Sequence, residues 1–131
     1  MLFGDYDFKR RENRSVRRVE QLILNGIEVH GTDIDYQTRC KHYSSKLDII
    51  AIKFYCCNSY YSCIECHEEL SNHAAVVWPR ENFTEKAILC GACGSELTIE
   101  EYVNCDSKCP SCRASFNPGC KSHYHLYFQF E

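Results

Sequence analysis

The chain has 131 residues and a net charge of −3 with histidine neutral, and it carries eleven cysteines and six histidines beside one Met and one Trp. That length fits one domain, or a small domain with an appendage, and no apolar run is long enough to span a membrane. Residues 1–18 hold six basic side chains (Lys9, Arg10, Arg11, Arg14, Arg17, Arg18) against three acidic ones. The remainder carries nine basic and fifteen acidic, the opposite sign to a nucleic-acid-binding surface.

Taken in chain order, residues 12–25 read as a helix. Val16, Val19, Leu22 and Ile23 fall near helical spacing, basic residues lie between them, and Asn25-Gly26 reads as its stop. The basic run reads as a solvated face of that helix rather than as an anion-binding surface. Residues 1–27 are therefore expected to form a basic amphipathic appendage, a possible contact for a second copy. Residues 28–131 form the main domain.

Ile27–His30 and Ile49–Tyr55 read as short strands, and Ala74–Trp78 and Lys86–Leu89 as two more, with Pro79 ending the former. Thr98 followed by Glu100 and Glu101 marks a helix start, with the helix running through Tyr102 and Val103. At the end of the chain, Tyr124, Leu126, Phe128 and Phe130 alternate as one face of a terminal strand. The fold class expected is small irregular α+β.

Leucine, isoleucine and valine are thin between residues 56 and 120, so this stretch needs a staple, either disulfide or metal. Three observations favour metal. The N-terminal MLFGDYDFKRRENRSVRRVE lacks an apolar core of signal-peptide length, the cysteine count is odd, and histidines interleave with the cysteines.

Zinc takes four thiolate or imidazole ligands in a tetrahedron. Three Cys-x-x-Cys pairs stand out: Cys63/Cys66, Cys90/Cys93 and Cys109/Cys112. The second reads Cys-Gly-Ala-Cys-Gly and the third Cys-Pro-Ser-Cys-Arg, both with residues suited to a tight turn. Around them sit Cys40, His42, the adjacent Cys56 and Cys57, His67 and His73. These twelve candidates make three closed sites of four. Neighbours in an extended segment point to opposite sides, so Cys56 and Cys57 are expected to serve different ions, and Cys66 and His67 to be split as well. Interleaved sites are expected; the spacing does not fix which ligands share an ion, and the grouping expected for one of them is Cys40 and His42 with Cys63 and Cys66.

Cys40-Lys41-His42-Tyr43, then Cys56-Cys57, Cys63-Ile64-Glu65-Cys66-His67, His73 and the two later pairs closely resemble the CHY-type zinc finger. The resemblance runs over about residues 28–128 and includes all twelve ligand positions. It implies three zinc ions with interleaved ligands. His30-Gly31, Thr38-Arg39-Cys40, the stretch 48–54 and Phe116-Asn117-Pro118-Gly119-Cys120 are similar to the small stand-alone branch of that family. That branch includes bacterial proteins and a yeast protein of the mitochondrial intermembrane space, linked to thiol oxidation and zinc handling during small-Tim assembly. No second eight-ligand RING block accompanies the finger, so ubiquitin ligase activity is not expected.

Cys105, Cys120, His123, His30 and His125 exceed the twelve. Cys120-x-x-His123 has ligand spacing, and Cys105 could compete for a site or act as a thiol. A buried small thiol and an exposed imidazole are the simpler expectation for each. His67-Glu68-Glu69 with Cys109-Pro110-Ser111-Cys112 only echoes the zinc deaminase signature, because the proline sits inside the pair. Four protein ligands per ion also leave no position for water, so no catalytic residue and no enzyme activity are expected.

The expected function is a zinc-binding, non-enzymatic module that presents a surface to an unidentified protein partner, in the cytoplasm. The alternative is a thiol-redox or zinc-transfer helper for cysteine-rich proteins in the mitochondrial intermembrane space.

Overall fold

The computed structural model describes residues 20–129, and of 120–122 the backbone alone. Six strands form one mixed sheet: β1 (Gln21–Leu24), β2 (Ile27–His30), β3 (Ile50–Phe54), β4 (Ser59–Tyr61), β5 (Lys86–Cys90) and β6 (Glu96–Thr98), in the order β1-β2-β4-β3-β5-β6. Only β2 and β4 run parallel. Helix α1 (Ile64–Leu70) follows β4 and helix α2 (Ile99–Val103) follows β6.

Residues 21–24 correct the expected N-terminal helix. They form β1, paired antiparallel with β2 from Gln21↔His30 to Leu24↔Ile27. Asn25 (φ 52°) and Gly26 (φ 80°) both lie in the left-handed region. Two such residues close a two-residue hairpin whose twist matches its strands, and Asn-Gly is the dipeptide that does this most readily. The pair that read as a helix stop is thus a hairpin turn. The border drawn at 27/28 falls inside this hairpin, and the part of the helix at 12–19 lies outside the described residues.

Strand alternation divides the core in two. Ile52, Phe54, Tyr61, Ile88 and Leu97 face one side, where they meet Ile99, Tyr102, Phe116 and Phe128. Val29, Ala51, Tyr60 and Leu89 face the other, with Ile34. Side chains one residue apart, such as Ile88 and Leu89, go to opposite clusters because the strand repeats every two residues.

The strands expected at Ile27–His30, within Ile49–Tyr55 and at Lys86–Leu89 are present as β2, β3 and β5. Helix α2 starts as expected: the Thr98 side chain accepts from the Glu101 amide and the Glu101 carboxylate accepts from the Thr98 amide, a capping box. The strand expected at Ala74–Trp78 shrinks to one bridge, Trp78 with Phe128. Val76 and Val77 are exposed, so that segment has no buried face to hold it extended. The terminal strand is also corrected. Pro118–Leu126 winds as 3₁₀ turns, entered through Asn117, whose side chain accepts from the Gly119 amide. Tyr124 and Phe128 still meet, their ring centroids 6.0 Å apart, because the chain leaves the 3₁₀ segment through one wider turn in which the Phe128 amide donates to Tyr124 carbonyl at 2.9 Å. Phe130 lies outside the described residues.

Candidate metal centres

The twelve candidate ligands gather into three groups of four: Cys40, His42, Cys63 and Cys66; Cys56, Cys57, His67 and His73; Cys90, Cys93, Cys109 and Cys112. Within each group the ligand atoms lie within 4.8 Å of one another. A tetrahedron with zinc–sulfur bonds of about 2.3 Å has sulfur–sulfur edges of about 3.8 Å, so the three donor sets fit zinc in both chemistry and spacing.

The first cluster is the most enclosed. Cys40, Cys63 and Cys66 are each no more than 3% exposed. Cys63 Sγ lies 3.6 Å from the sulfurs of both Cys40 and Cys66, and His42 Nδ1 is 3.5 Å from Cys63 and from Cys66. Cys63 also caps α1: its sulfur accepts from the Cys66 amide at 3.4 Å, and the Thr32 amide donates to Cys66 Sγ at 3.3 Å. Behind His42, Nε2 is 3.0 Å from Glu69 Oε2, while Thr32 Oγ1 donates to Glu69 Oε1 at 2.7 Å. A carboxylate on the far nitrogen fixes the tautomer that offers Nδ1 and makes the imidazole a stronger donor.

Glu69, the carboxylate behind His42, is a candidate supporting residue that composition alone did not single out. Its position three residues after Cys66 becomes informative only once 64–70 is known to be a helix, which places the two side by side.

Electrostatics in this cluster favour a cation. Hydrogen bonds from Cys63 and Cys66 draw the Cys40 thiol far below its ordinary value, while hydrogen bonding to Cys40 pushes Cys63 upward. Three sulfurs at these distances cannot all hold negative charge unaided, and a dication removes that conflict. Burial opposes a proton on His42, but the Glu69 and Cys40 contacts outweigh it and raise its pKa. Hydrogen bonds from Thr32 and His42 lower that of Glu69.

The second cluster corrects the expectation that Cys56 and Cys57 serve different ions. Both belong to it, with sulfurs 4.0 Å apart. They stand in the turn after β3, where the Asn58 amide reaches back to Phe54 carbonyl at 2.7 Å and Asn58 takes φ 57°. The alternation of an extended strand no longer applies there. His67 Nε2 is 3.3 Å from Cys56 Sγ and 3.2 Å from His73 Nε2. His67 is fully buried, stacked on Phe54 at 4.3 Å, and burial lowers its pKa toward the neutral imidazole that binds metal. Ser71 Oγ lies 3.4 Å from its Nδ1, and Asn72 Oδ1 lies 3.0 Å from Nδ1 of His73.

The third cluster joins two knuckles with one backbone design. In the first, the Gly94 amide donates to Cys90 carbonyl at 2.8 Å and the Cys90 amide to Ser95 carbonyl at 3.0 Å. In the second, the Arg113 amide donates to Cys109 carbonyl at 2.9 Å and the Cys109 amide to Ala114 carbonyl at 2.9 Å. Gly94 and Arg113 hold the same left-handed position, φ 78° and 70°. Across the knuckles, Cys90 Sγ is 3.8 Å from Cys112 Sγ and Cys93 Sγ is 3.9 Å from Cys109 Sγ. Desolvation raises the Cys90 thiol. It acts on Cys93 too, but there the Ser95 hydroxyl and amide prevail and the pKa falls to about 6.

The first two clusters interleave along the chain, and Cys66 and His67 are divided between them; the third stands apart in sequence. Cys105 joins no cluster. It is half-buried, and its thiol donates to Tyr102 carbonyl at 3.1 Å. His123 also stands outside them, its ring 6.4 Å from that of Tyr43. The side chain of Cys120 lies outside the described residues. Among the described residues no helix is long and apolar enough to cross a membrane.

A small mixed sheet carrying two cysteine–histidine clusters and one of four cysteines defines a zinc-binding finger domain. The chain belongs to the CHY zinc finger family, whose model matches residues 40–117. It is 47% identical over 104 residues to Helper of Tim protein 13 of Saccharomyces cerevisiae, covering 77% of this chain and 90% of that one. It is 42% identical over 101 residues to the protein of the same name in Kluyveromyces lactis, covering 77% and 88%. An uncharacterized protein of Schizosaccharomyces pombe is 41% identical over 101 residues, with the same coverage.

Proposed function

We propose that the chain holds three zinc ions, one in each cluster, and acts as a non-enzymatic module that docks a protein partner. The observation that carries this reading is the division of twelve soft ligands into three sets of four, each within 4.8 Å. Four protein ligands fill the coordination shell of zinc and leave no position for a reacting water, which supports a structural over a catalytic role.

Two relatives that bear the name Helper of Tim protein 13 support a protein as partner, a Tim protein first among candidates. They favour the mitochondrial intermembrane space over the cytoplasm. A second reading, a zinc-transfer or thiol-redox helper, draws on the same names and on Cys105, a half-buried thiol outside the clusters.

Native mass spectrometry of the full chain tests the first reading. Three zincs are expected, and a strong chelator should collapse the sheet signal in circular dichroism, because apparent zinc binding of about 10–16 kcal/mol per site exceeds what a small core supplies. A fold unchanged after verified zinc loss would overturn it. Reactive-thiol counting with zinc bound tests the second, and a chain with no accessible thiol would rule out the redox form.

A further inference from the structure

The three clusters differ in how firmly they are built. In the first, the sulfurs are buried, amides of Thr32 and Cys66 support them, and Glu69 on a helix holds His42. In the third, all four ligands are cysteines; Cys93 and Cys112 are exposed, and both lie within hydrogen-bonded knuckles. The second has two half-buried cysteines, one buried histidine and one exposed histidine.

That exposed ligand, His73, lies outside any helix or strand, in the stretch 71–77 between α1 and the Trp78 bridge. Among the described residues, its far nitrogen is held only by Asn72, the preceding residue. An acceptor one residue away moves with the ligand; the Ser71 hydroxyl at the end of α1 donates to the His73 carbonyl at 3.1 Å, which holds the backbone but not the imidazole. A neutral imidazole also leaves zinc more readily than a thiolate does, since no charge is separated from the ion. Exposed apolar side chains border the cluster. Tyr55 precedes Cys56, and Val76 and Val77 follow His73 by three and four residues. The Tyr55 ring packs 5.0 Å from Trp78, which draws the two segments together.

We propose that the Cys56/Cys57/His67/His73 site is the exchangeable one of the three, and that His73 is the ligand that detaches to admit an incoming thiol from a cysteine-bearing partner. The step is ligand substitution without redox change. The zinc–nitrogen bond to His73 breaks and a zinc–sulfur bond forms. The incoming thiol gives up its proton as it binds, and the freed His73 nitrogen accepts it. The inference rests on zinc occupying all three clusters.

The test is zinc release from the full chain to a chromogenic chelator at neutral pH, after mass spectrometry has counted the ions. Three ions at the start with one released in a distinct fast phase is the expected result. His73→Cys should slow that phase at least tenfold and leave the other two ions unchanged. Asn72→Ala, which alters no ligand, should speed it several-fold. Fewer than three ions at the start would sink the reading on which the inference stands. Three ions that leave in one phase, or a fast phase indifferent to both substitutions, would overturn the inference alone.

Discussion

Cys66 and His67 are adjacent in the chain yet serve different clusters: Cys66 Sγ lies 3.6 Å from Cys63 Sγ, while His67 Nε2 lies 3.3 Å from Cys56 Sγ. Consecutive side chains on a helix diverge by about 100°, so one short helix can hold a ligand for each of two sites. α1 is therefore a shared strut, braced at its start by the Cys63 cap and at its end by the Ser71 amide donating to His67 carbonyl at 3.0 Å.

Breaking that strut should affect both clusters and spare the third. Glu68→Pro places a ring within α1, removes one helical hydrogen bond and costs roughly 3 kcal/mol. Native mass spectrometry is expected to find one zinc retained of three. Retention of two or more would show that the clusters do not depend on a common helix.

Glu69 is placed to support, through His42, a zinc held in the first cluster. Glu69→Ala removes the acceptor on His42 Nε2 and frees Thr32, whose amide supports Cys66. Loss of such a partner typically weakens metal binding about 10–100-fold. Competition with a chelator of known affinity should show that loss for one ion of three, with Glu69→Gln intermediate. An unchanged affinity would remove Glu69 from the metal-supporting role.

Gly91 has no room for a side chain. A Cβ there would meet Gln37 carbonyl oxygen at 2.1 Å and Ile49 carbonyl oxygen at 2.7 Å, while its own amide donates to Ile49 carbonyl. Backbone cannot move aside as a flexible side chain does, so Gly91→Ala should destabilise the zinc-loaded chain by about 3 kcal/mol or more. A thermal midpoint within 2 °C of the parent, on the order of a few tenths of a kcal/mol, would contradict the packing described.

Arg113 and Gly94 occupy equivalent knuckle positions with different residues. A left-handed conformation costs a non-glycine residue about 1 kcal/mol, so Arg113→Gly should be neutral or stabilising by about that amount. Gly94→Ala should destabilise, both through its φ and because a Cβ would meet that of Asn25 at 2.8 Å. Gly94→Ala is expected to lower the thermal midpoint and Arg113→Gly to leave it unchanged or raise it, and a drop in both would refute the equivalence of the knuckles.

Much of the metal chemistry was legible in the chain itself. Cys-x-x-Cys pairs are local devices, and a tight turn brings both sulfurs to one point whatever surrounds it; Cys90/Cys93 and Cys109/Cys112 form such turns. The Thr98 capping box is equally local, as is the core-facing pattern of β5. Asn25-Gly26 was ambiguous because glycine serves both a helix end and a hairpin, and only pairing of Gln21–Leu24 with β2 decides between them. What the sequence determined, then, was the identity of the soft ligands and the turns that hold them in pairs. Which pairs share an ion was decided by tertiary structure: β4 leads into α1, whose start sets Cys63 and Cys66 beside Cys40 and His42, while the next residue on the helix turns to the Cys56-Cys57 turn. Sequence separation carries no such information, because a ligand 23 residues away can close a site as well as one three residues away, once the sheet has brought the segments together.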